Sequence, residues 1–321
     1  MVSARQTELL TVTEIAVIIP CYNEEATIAA VVSDFRASLP AAKIYVYDNN
    51  SRDETVKRAL AAGAEVRRET MQGKGNVVRR MFADVQADIF VLVDGDDTYD
   101  AAAAPELIAK LIEEGLDIVS GKREATAVAA YRPGHVLGNH LLTGLTSFMF
   151  GVHLADMLSG YRVMSRRFVK SFPLAARGFG IETELTVHTV RMRLPQAEVA
   201  TRYKERPAGS ASKLNTWRDG TRILLTIVGL MRRERPLIFF TSIFAVLALA
   251  SIIIGLPVVI EFFETGLVPR LPTAVLVTGM MVLAFLSLFT GLILDTVTRG
   301  RWEQKRIAYL SIPGPLELKK P

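Results

Sequence analysis

The sequence predicts an α/β domain with a mostly parallel sheet and flanking helices, followed by a hairpin of two transmembrane helices. Short apolar, β-branched runs alternate with helical patterns from residue 15 to residue 121. Alternation of this kind is typical of a doubly wound sheet. Two stretches without a charged residue, 237–260 and 273–294, come later in the chain. Each is long enough to cross a bilayer as a helix.

The alternation sets the expected order of strands and helices. The first run, IAVIIP at 15–20, is apolar and ends at a proline, as expected of a buried parallel strand. Further strands are expected at 43–48, 64–69, 88–94, 117–121 and 197–204. Helices are expected at 24–38, 53–62, 75–86, 104–114 and 181–193. Ligands bind at the carboxyl ends of the strands in such sheets, so the polar clusters 21–25, 48–53 and 94–97 mark the expected site.

Three segments depart from the alternation. Residues 136–151 are apolar and predict a helix that is either buried or lies at a membrane surface. For residues 154–165 the sequence predicts neither a helix nor a strand. Residues 214–236 carry Trp217 and several arginines, which indicates an amphipathic interfacial helix. We therefore expect a catalytic domain at 1–213, a linker at 214–236 and a membrane anchor at 237–321 that ends in a cytoplasmic tail.

Basic residues lie outside the two apolar stretches: Arg232, Arg233 and Arg235 before the first, and Arg299, Arg301, Lys305 and Arg306 after the second. The loop between the stretches has two glutamates and a single arginine, Arg270. The positive-inside rule then places the catalytic domain and both termini on the cytoplasmic side of the inner membrane.

The composition of the chain narrows the range of partners and activities that it can have. The 321 residues have a mean hydropathy of +0.27 and a net charge of +5, with basic residues concentrated near the apolar stretches. This favours membrane and phosphate partners over nucleic acid. The single cysteine, Cys21, excludes an intramolecular disulfide and indicates a reducing compartment. Zinc-protease and serine-hydrolase motifs are absent from the sequence, as is a Walker A loop around Lys74.

The clearest chemical signal is Asp94-Gly95-Asp96-Asp97, directly after the apolar run IFVLV. Clustered carboxylates suit Mg²⁺ or Mn²⁺, which binds to carboxylates and substrate phosphates and stabilises a departing diphosphate. We expect Asp94 and Asp96 to hold this metal. The alternative is a solvated acidic turn, which the position after a buried strand disfavours.

Seven segments together resemble a known family: VIIPCYNEE (17–25), YDNNSRDET (47–55), GKGNVVRR (73–80), VDGDD (93–97), DIVSGKR (117–123), DMLSGYRVMSRR (156–167) and ERPAGSASK (205–213). Their order and spacing resemble the family 2 glycosyltransferases, which have the Rossmann-like GT-A fold. Within that family the sequence is most similar to the transferases that attach sugars to dolichol or undecaprenyl phosphate. The resemblance covers residues 15 to 215.

The resemblance implies site residues. Those expected to bind the nucleotide sugar are Pro20, Tyr22, Glu24, Asp48, Lys74, Asp94 and Arg123. Those expected to bind the acceptor or its phosphate are Arg162, Arg206, Ser210 and Lys213. Asp156 and Asp96 are the expected catalytic residues, with Asp156 a candidate base. Asn49 and Thr98 depart from the family pattern, which has an acid at the first position and in some relatives a glutamine at the second.

The resemblance implies an inverting, metal-dependent hexosyltransferase. Its donor would be a UDP- or GDP-sugar and its acceptor a polyprenyl phosphate at the cytoplasmic face of the bilayer. Two alternatives stay open: the same fold acting on another glycan or lipid acceptor, and a non-catalytic membrane scaffold that keeps a nucleotide pocket. The sequence leaves the sugar, the nucleotide and the oligomeric state open, a homo-oligomer included.

Overall fold

A computed structural model describes residues 13–125, 144, 156–173, 180–204 and 228–315. The chain divides into two compact units, Met1–Gly220 together with Lys305–Pro321, and Thr221–Gln304. The expected helix at 136–151 lies outside the described residues except for Gly144, which is helical. Of the expected interfacial helix, residues 228–234 are described and helical.

The first unit is built on a sheet of seven strands. These are β1 Ile15–Cys21, β2 Lys43–Asp48, β3 Glu65–Arg68, β4 Ile89–Leu92, β5 Ile118–Ala125, β6 Arg162–Ser165 and β7 Gln196–Tyr203. Their order across the sheet is β3-β2-β1-β4-β6-β5-β7. All neighbours pair in parallel except β6, which is antiparallel to both β4 and β5. The predicted mostly parallel sheet is confirmed.

The strand β6 corrects the sequence prediction, which assigned no element to 154–165. It inserts between β4 and β5, and all four of its residues are buried. Four residues with an arginine at the start give no alternating pattern, so the strand is recognised only from its pairing. The chain continues directly into a short helix, which the sequence prediction also missed.

Helices cover both faces of the sheet. They are α1 Ile28–Ser38, α2 Thr55–Ala61, α3 Lys74–Asp84, α4 Ala104–Glu113, α5 Arg166–Ser171 and α6 Ile181–Met192. Alternate residues of β1 point to opposite faces: Val17 and Ile19 pack in the core cluster that includes α1 and α4. Ile18 lies in the cluster that includes α3 and α6. Since both faces of β1 are buried, its continuous apolar run is explained.

Residues after 304 complete the first unit. Asp117, at the start of β5, is fully buried. Arg167 binds both of its carboxylate oxygens, at 2.6 and 2.9 Å, and the Ser165 hydroxyl donates to the first of them. The Tyr309 hydroxyl donates to the second at 2.7 Å, and the Arg167 guanidinium lies 4.6 Å from the centre of the Tyr309 ring. The segment that contains Tyr309 is therefore held to the sheet through the buried Asp117 carboxylate.

The second unit consists of long apolar helices. These are α7, Pro236–Thr265, and α8, Leu271–Leu310, whose last six residues belong to the first unit. Both are longer than the predicted 237–260 and 273–294. Only 17% and 11% of their most apolar windows are buried, so they do not resemble core helices of a soluble protein. By length and composition both could cross a membrane.

Small residues join α7 to α8 at close range. The Ser251 hydroxyl donates to the Val277 carbonyl at 2.9 Å, and the Ser287 hydroxyl donates to the Phe240 carbonyl at 3.0 Å. A Cβ added at Gly255 would lie 2.8 Å from the Val277 side chain, so the helices are in contact there. Hydroxyl-to-carbonyl bonds and small residues are the usual means of packing apolar helices without exposed polar groups.

Candidate functional site

Strained turns follow the strands at the carboxyl edge of the sheet. Four non-glycine residues among those described have positive φ angles, and Asn23, Asn50 and Asp97 are three of them. They come shortly after β1, β2 and β4. Asparagine and aspartate are the residues that tolerate this conformation best, and such backbone strain clusters at functional sites. Because β2, β1 and β4 are neighbouring parallel strands, the three polar clusters predicted at 21–25, 48–53 and 94–97 lie along one edge of the sheet.

The loops after β1 and β2 hold each other in place. The Glu24 backbone N–H donates to the Thr55 hydroxyl at 2.8 Å, and the Arg52 N–H donates to the Asn23 side-chain oxygen at 2.9 Å. These bonds fix the loop that carries two of the residues predicted to line the nucleotide pocket, Tyr22 and Glu24. Both side chains, like that of Pro20, are partly exposed.

The end of β2 organises the next loop. Asp48 is buried, and its carboxylate accepts hydrogen bonds from the backbone N–H groups of Asn50 and Ser51. Asn49 is also buried; its amide donates to the carbonyls of Glu69 and Met71, each at 2.9 Å.

The Asn49 side-chain oxygen accepts from the N–H of Gly73, the residue before α3. An acid in its place has no N–H to donate to those two carbonyls. The departure of Asn49 from the family pattern therefore fixes the loop that leads to Lys74.

The acidic motif sits in a closely packed turn after β4. Asp96 is buried and accepts from the Thr98 hydroxyl at 2.6 Å, while the Asp94 side chain keeps 28% of its surface exposed. The Thr27 hydroxyl donates to the Gly95 carbonyl at 2.7 Å. A Cβ added at Gly95 would lie 2.7 Å from the Cys21 sulfur, so only glycine fits.

Burial and the surrounding acids raise the pKa of the Cys21 thiol, first among them Glu24 and Asp48. The thiol therefore stays protonated, and a nucleophilic role is disfavoured.

Gly160 is a site residue that the sequence prediction did not single out. A Cβ at this position would lie 2.5 Å from Asp94 Oδ2. Its backbone N–H donates to the Tyr99 hydroxyl at 2.7 Å, which holds it in that place. Gly160 belongs to the family-like segment 156–167, but that segment gave no reason to connect it with Asp94.

Lys74, the first residue of α3, bridges two carboxylates from other elements. Its Nζ lies 2.6 Å from Asp94 Oδ1 and 2.5 Å from Glu182 Oε1, in the first turn of α6. Burial alone would lower the pKa of Lys74, but the two carboxylates outweigh it and raise that pKa above its ordinary value. We call these three residues the Lys74 cluster. The contact between Lys74 and Glu182 is added by the structure.

Arg123 and Asp156 form a second ion pair. Arg123 Nε and Nη2 each lie 2.7 Å from one oxygen of Asp156, which is a bidentate arrangement. Burial alone would raise the pKa of Asp156, but the hydrogen bonds and charge of Arg123 hold it below its ordinary value. Asp156 is therefore a carboxylate at neutral pH and a weak base. Its predicted catalytic role and the nucleotide-binding role of Arg123 stay predictions.

Arg162 lies deeper than a phosphate ligand is expected to lie. The side chain is 2% exposed and donates to the carbonyls of Met157, Ser159 and Glu182. It also donates to the Thr186 hydroxyl at 2.8 Å. The guanidinium thus ties the turn before β6 to α6. Sequence reasoning placed it at the acceptor phosphate because it could not show that these internal acceptors were present.

The other predicted acceptor residues, Arg206, Ser210 and Lys213, lie outside the described residues. The last described residue before them, Lys204, donates its backbone N–H to the Thr98 carbonyl at 2.8 Å. Its Nζ lies 3.4 Å from Asp97 Oδ1. Strand β7 thus ends next to the acidic turn.

The donor set at the acidic turn fits a hard divalent cation. Asp94 and Asp96 supply carboxylate oxygens, and within the part of the chain that the structure describes no group of three or more acidic, histidine or cysteine residues could hold a metal ion. Mg²⁺ usually binds to one or two carboxylates and takes its other ligands from water and substrate phosphate. Two carboxylates at a partly open edge match that requirement.

Comparison with known proteins gives consistent matches. The model of Glycosyl transferase family 2 matches residues 16–172. Glycosyltransferase AglJ of Haloferax volcanii is 33% identical over 303 residues, which cover 92% of this chain and 98% of the relative. The dolichyl-phosphate hexose transferase of the same organism is 29% identical over 222 residues, covering 69% of this chain and 96% of the relative.

A solved structure of glucosyl-3-phosphoglycerate synthase from Mycobacterium tuberculosis, in complex with Mn²⁺, UDP and phosphoglyceric acid, is also similar. It has a TM-score of 0.57 and 26% sequence identity, and the match covers 70% of this chain and 81% of that one.

Proposed function

The chain belongs to glycosyl transferase family 2, and on this premise we propose that it transfers a hexose from a UDP- or GDP-sugar to a polyprenyl phosphate. The observation that carries the proposal is the pair Asp94 and Asp96 at the carboxyl end of β4. Asp96 is fixed by Thr98, and Asp94 lies partly exposed against Gly160. This is the edge where a nucleotide is expected in an α/β sheet.

Two observations favour a lipid phosphate as the acceptor. One relative is a dolichyl-phosphate hexose transferase, and the match covers 96% of its length. The chain also has two helices that are long and apolar enough to cross a bilayer. An enzyme anchored in this way meets a membrane-bound acceptor without first extracting it from the bilayer. The basic flanks of α7 and α8 favour the cytoplasmic face.

The donor and the metal are inferred by similarity. The similar synthase structure contains Mn²⁺ and UDP. Here Asp94 and Asp96 would hold Mg²⁺ or Mn²⁺, and the bound cation would offset the charge that develops on the departing diphosphate. The loops after β1 and β2, which contain Tyr22, Glu24 and Asp48, would surround the nucleoside.

The proposed chemistry requires no strong base. An oxygen of the acceptor phosphate attacks the anomeric carbon as the bond from that carbon to the diphosphate oxygen breaks, and the bonding electrons leave with the diphosphate. Single displacement inverts the anomeric carbon. A phosphate is already ionised near neutral pH, so its positioning matters more than its deprotonation. This agrees with Asp156, whose lowered pKa makes it a weak base; the Arg123–Asp156 pair would orient rather than deprotonate.

The proposal is tested with labelled nucleotide sugars. Membranes containing the protein are incubated with a panel of UDP- and GDP-sugars and polyprenyl phosphate, and the lipid fraction is extracted and counted. We expect one labelled, acid-labile lipid product that requires a divalent cation. Label that enters a glycan or a lipid-linked diphosphate sugar instead would move the proposal to another acceptor. No incorporation from any donor would favour a non-catalytic scaffold.

The proposed orientation has a separate test. Protease is added to sealed right-side-out vesicles and then to permeabilised ones. Residues 1–230 should be protected in the first case and digested in the second. Digestion in sealed vesicles would place the catalytic unit on the opposite face.

A further inference from the structure

The two carboxylates of the acidic turn are engaged differently. Asp96 accepts from Thr98, two residues away in its own turn. Asp94 Oδ1 is instead contacted by a cation from another element, the Lys74 ammonium. The oxygen that a metal is expected to use therefore already has a positive charge against it.

Glu182 keeps this ammonium in place. The Lys74 and Glu182 side chains are only 13% and 12% exposed, and the 2.5 Å contact joins the starts of α3 and α6. One ammonium between two carboxylates leaves the cluster with a net charge of −1. If the Lys74 ammonium moves away from Asp94, it keeps Glu182 as a partner. Movement away from Asp94 therefore does not leave a buried charge without compensation.

A divalent cation and the ammonium compete for the same oxygen. Two cations against Asp94 Oδ1 repel each other, so the metal binds well only after Lys74 has moved. A diphosphate supplies the alternative partner, because its oxygens attract an ammonium as strongly as a carboxylate does. The lysine side chain already bridges the start of α3 and the turn after β4, so it reaches the edge where the diphosphate is expected.

We infer that Lys74, held by Glu182, is a resident counter-cation that suppresses metal binding until a nucleoside diphosphate arrives. The inference rests on the proposed function, since it assumes a metal and a diphosphate at this site. It adds a coupling between the metal and the diphosphate: displacement of Lys74 from Asp94 by one of them favours binding of the other, and the effect is reciprocal. Glu182 is a positioning residue, because it holds the Lys74 ammonium in place.

The test measures Mn²⁺ binding to the full-length protein in detergent, from the paramagnetic resonance signal of free Mn²⁺, with and without UDP. The variants are Lys74→Met, Glu182→Gln and, as a charge-matched control, Lys57→Met, whose side chain is 76% exposed and pairs with Glu54. Lys74→Met should bind Mn²⁺ about tenfold more tightly without UDP, in the range of ordinary site-to-site coupling. UDP should then improve Mn²⁺ binding by a smaller factor than in the wild type.

Glu182→Gln should change Mn²⁺ binding in the opposite direction, because Lys74 is then left with Asp94 as its carboxylate partner and the cluster loses a negative charge. Lys57→Met should match the wild type. The inference is overturned if Lys74→Met changes neither the Mn²⁺ affinity nor the UDP effect, or if Glu182→Gln tightens Mn²⁺ binding. A wild type that binds no Mn²⁺ even with UDP would instead refute the metal site of the proposed function. Should Lys74→Met not fold, Glu182→Gln still decides the matter: weaker Mn²⁺ binding supports the inference, and unchanged or tighter binding overturns it.

Discussion

The Lys74 cluster and the Arg123–Asp156 pair both place a cation against an aspartate near the carboxyl edge of the sheet, but the two cations are held differently. Lys74 presents a single ammonium to two carboxylates, and its partner Asp94 is 28% exposed. Arg123 presents two N–H groups to one carboxylate whose side chain is 8% exposed. An ammonium is a point charge on a flexible stem, whereas a guanidinium fork is planar and geometrically specific.

The difference indicates that Lys74 can exchange its partners, whereas the Arg123–Asp156 pair is fixed. A lysine can leave one oxygen for another with little change in geometry. A bidentate arginine has to break two bonds at once, and Arg123 is also stacked 5.5 Å from the centre of the Tyr203 ring. We therefore expect substitutions beside the acidic turn to change ligand binding and transfer, and substitutions in the Arg123–Asp156 pair to change mainly stability.

The largest effect is expected at the acidic turn. Asp96→Ala removes a carboxylate from the proposed metal site, and sugar transfer should fall by about 100-fold to 1000-fold, as when a transition-state-stabilising group is lost. Lipid-product formation is measured at saturating donor. Asp34→Ala, an exposed acid on α1, is the charge-matched control and should retain full transfer. Full transfer by Asp96→Ala would refute the metal site.

A large loss of stability is expected when the Arg123–Asp156 pair is broken. Arg123→Met leaves the Asp156 carboxylate buried without its partner and should lower the free energy of unfolding by about 3 kcal/mol. Guanidinium unfolding followed by circular dichroism measures the change. The matched control is Arg80→Met, which breaks the more exposed Arg80–Asp84 pair and should lower the free energy of unfolding by much less, because solvent screens exposed ion pairs. Equal losses in the two variants would contradict the comparison.

A smaller effect is expected from crowding Asp94 without removing it. Gly160→Ala places a Cβ 2.5 Å from Asp94 Oδ2. Since Asp94 has to shift, kcat/KM should fall by about tenfold, within what a 1 Å misplacement costs. Gly300→Ala, where an added Cβ meets nothing within 4 Å, is the control. An unaltered kcat/KM in Gly160→Ala would show that the position of Asp94 tolerates displacement.

The smallest effect concerns pH. Arg123 lowers the pKa of Asp156 in the folded protein, so the stabilisation is present above the unfolded-state pKa of about 3.9. It is lost as pH falls through the folded value, and each unit of difference corresponds to about 1.4 kcal/mol. Asp156→Asn removes this titration and should flatten the decline in stability between about pH 5 and 2. Glu106→Gln, at an exposed position of α4, should leave the decline as in the wild type.

The sequence predicted most of the sheet because local patterns were sufficient there. Strands β1, β2 and β4 are short, largely apolar runs, and each is followed by a polar turn that marks the site. Strand β6 was missed, since RVMS has no alternation and its arginine suggests an exposed position. Arg162 is buried there because carbonyls from Met157 and Glu182 accept its N–H groups, and no local pattern reports such distant acceptors.

The site was predicted residue by residue but not as a network. Asp94 and Lys74 were both expected near the nucleotide, yet their contact, and that of Lys74 with Glu182 108 residues later, depends on the sheet order. From the sequence, Asn49 was visible only as a departure from the acid of the family pattern. Its three bonds to the loop before α3 became apparent from the structure.

The contact between Tyr309 and Asp117 bears on the order in which the protein is made. Asp117 accepts this hydrogen bond from a residue in the last turn of α8, which comes after α7 and after the apolar stretch 273–294 in the chain. A ribosome therefore synthesises α7 and the apolar part of α8 before it releases the segment that completes the first unit. Until then the buried carboxylate lacks one of its three side-chain partners. The first unit is therefore completed only after both apolar stretches have been synthesised, so a chain truncated before Tyr309 has α7 and most of α8 but lacks this bond to Asp117.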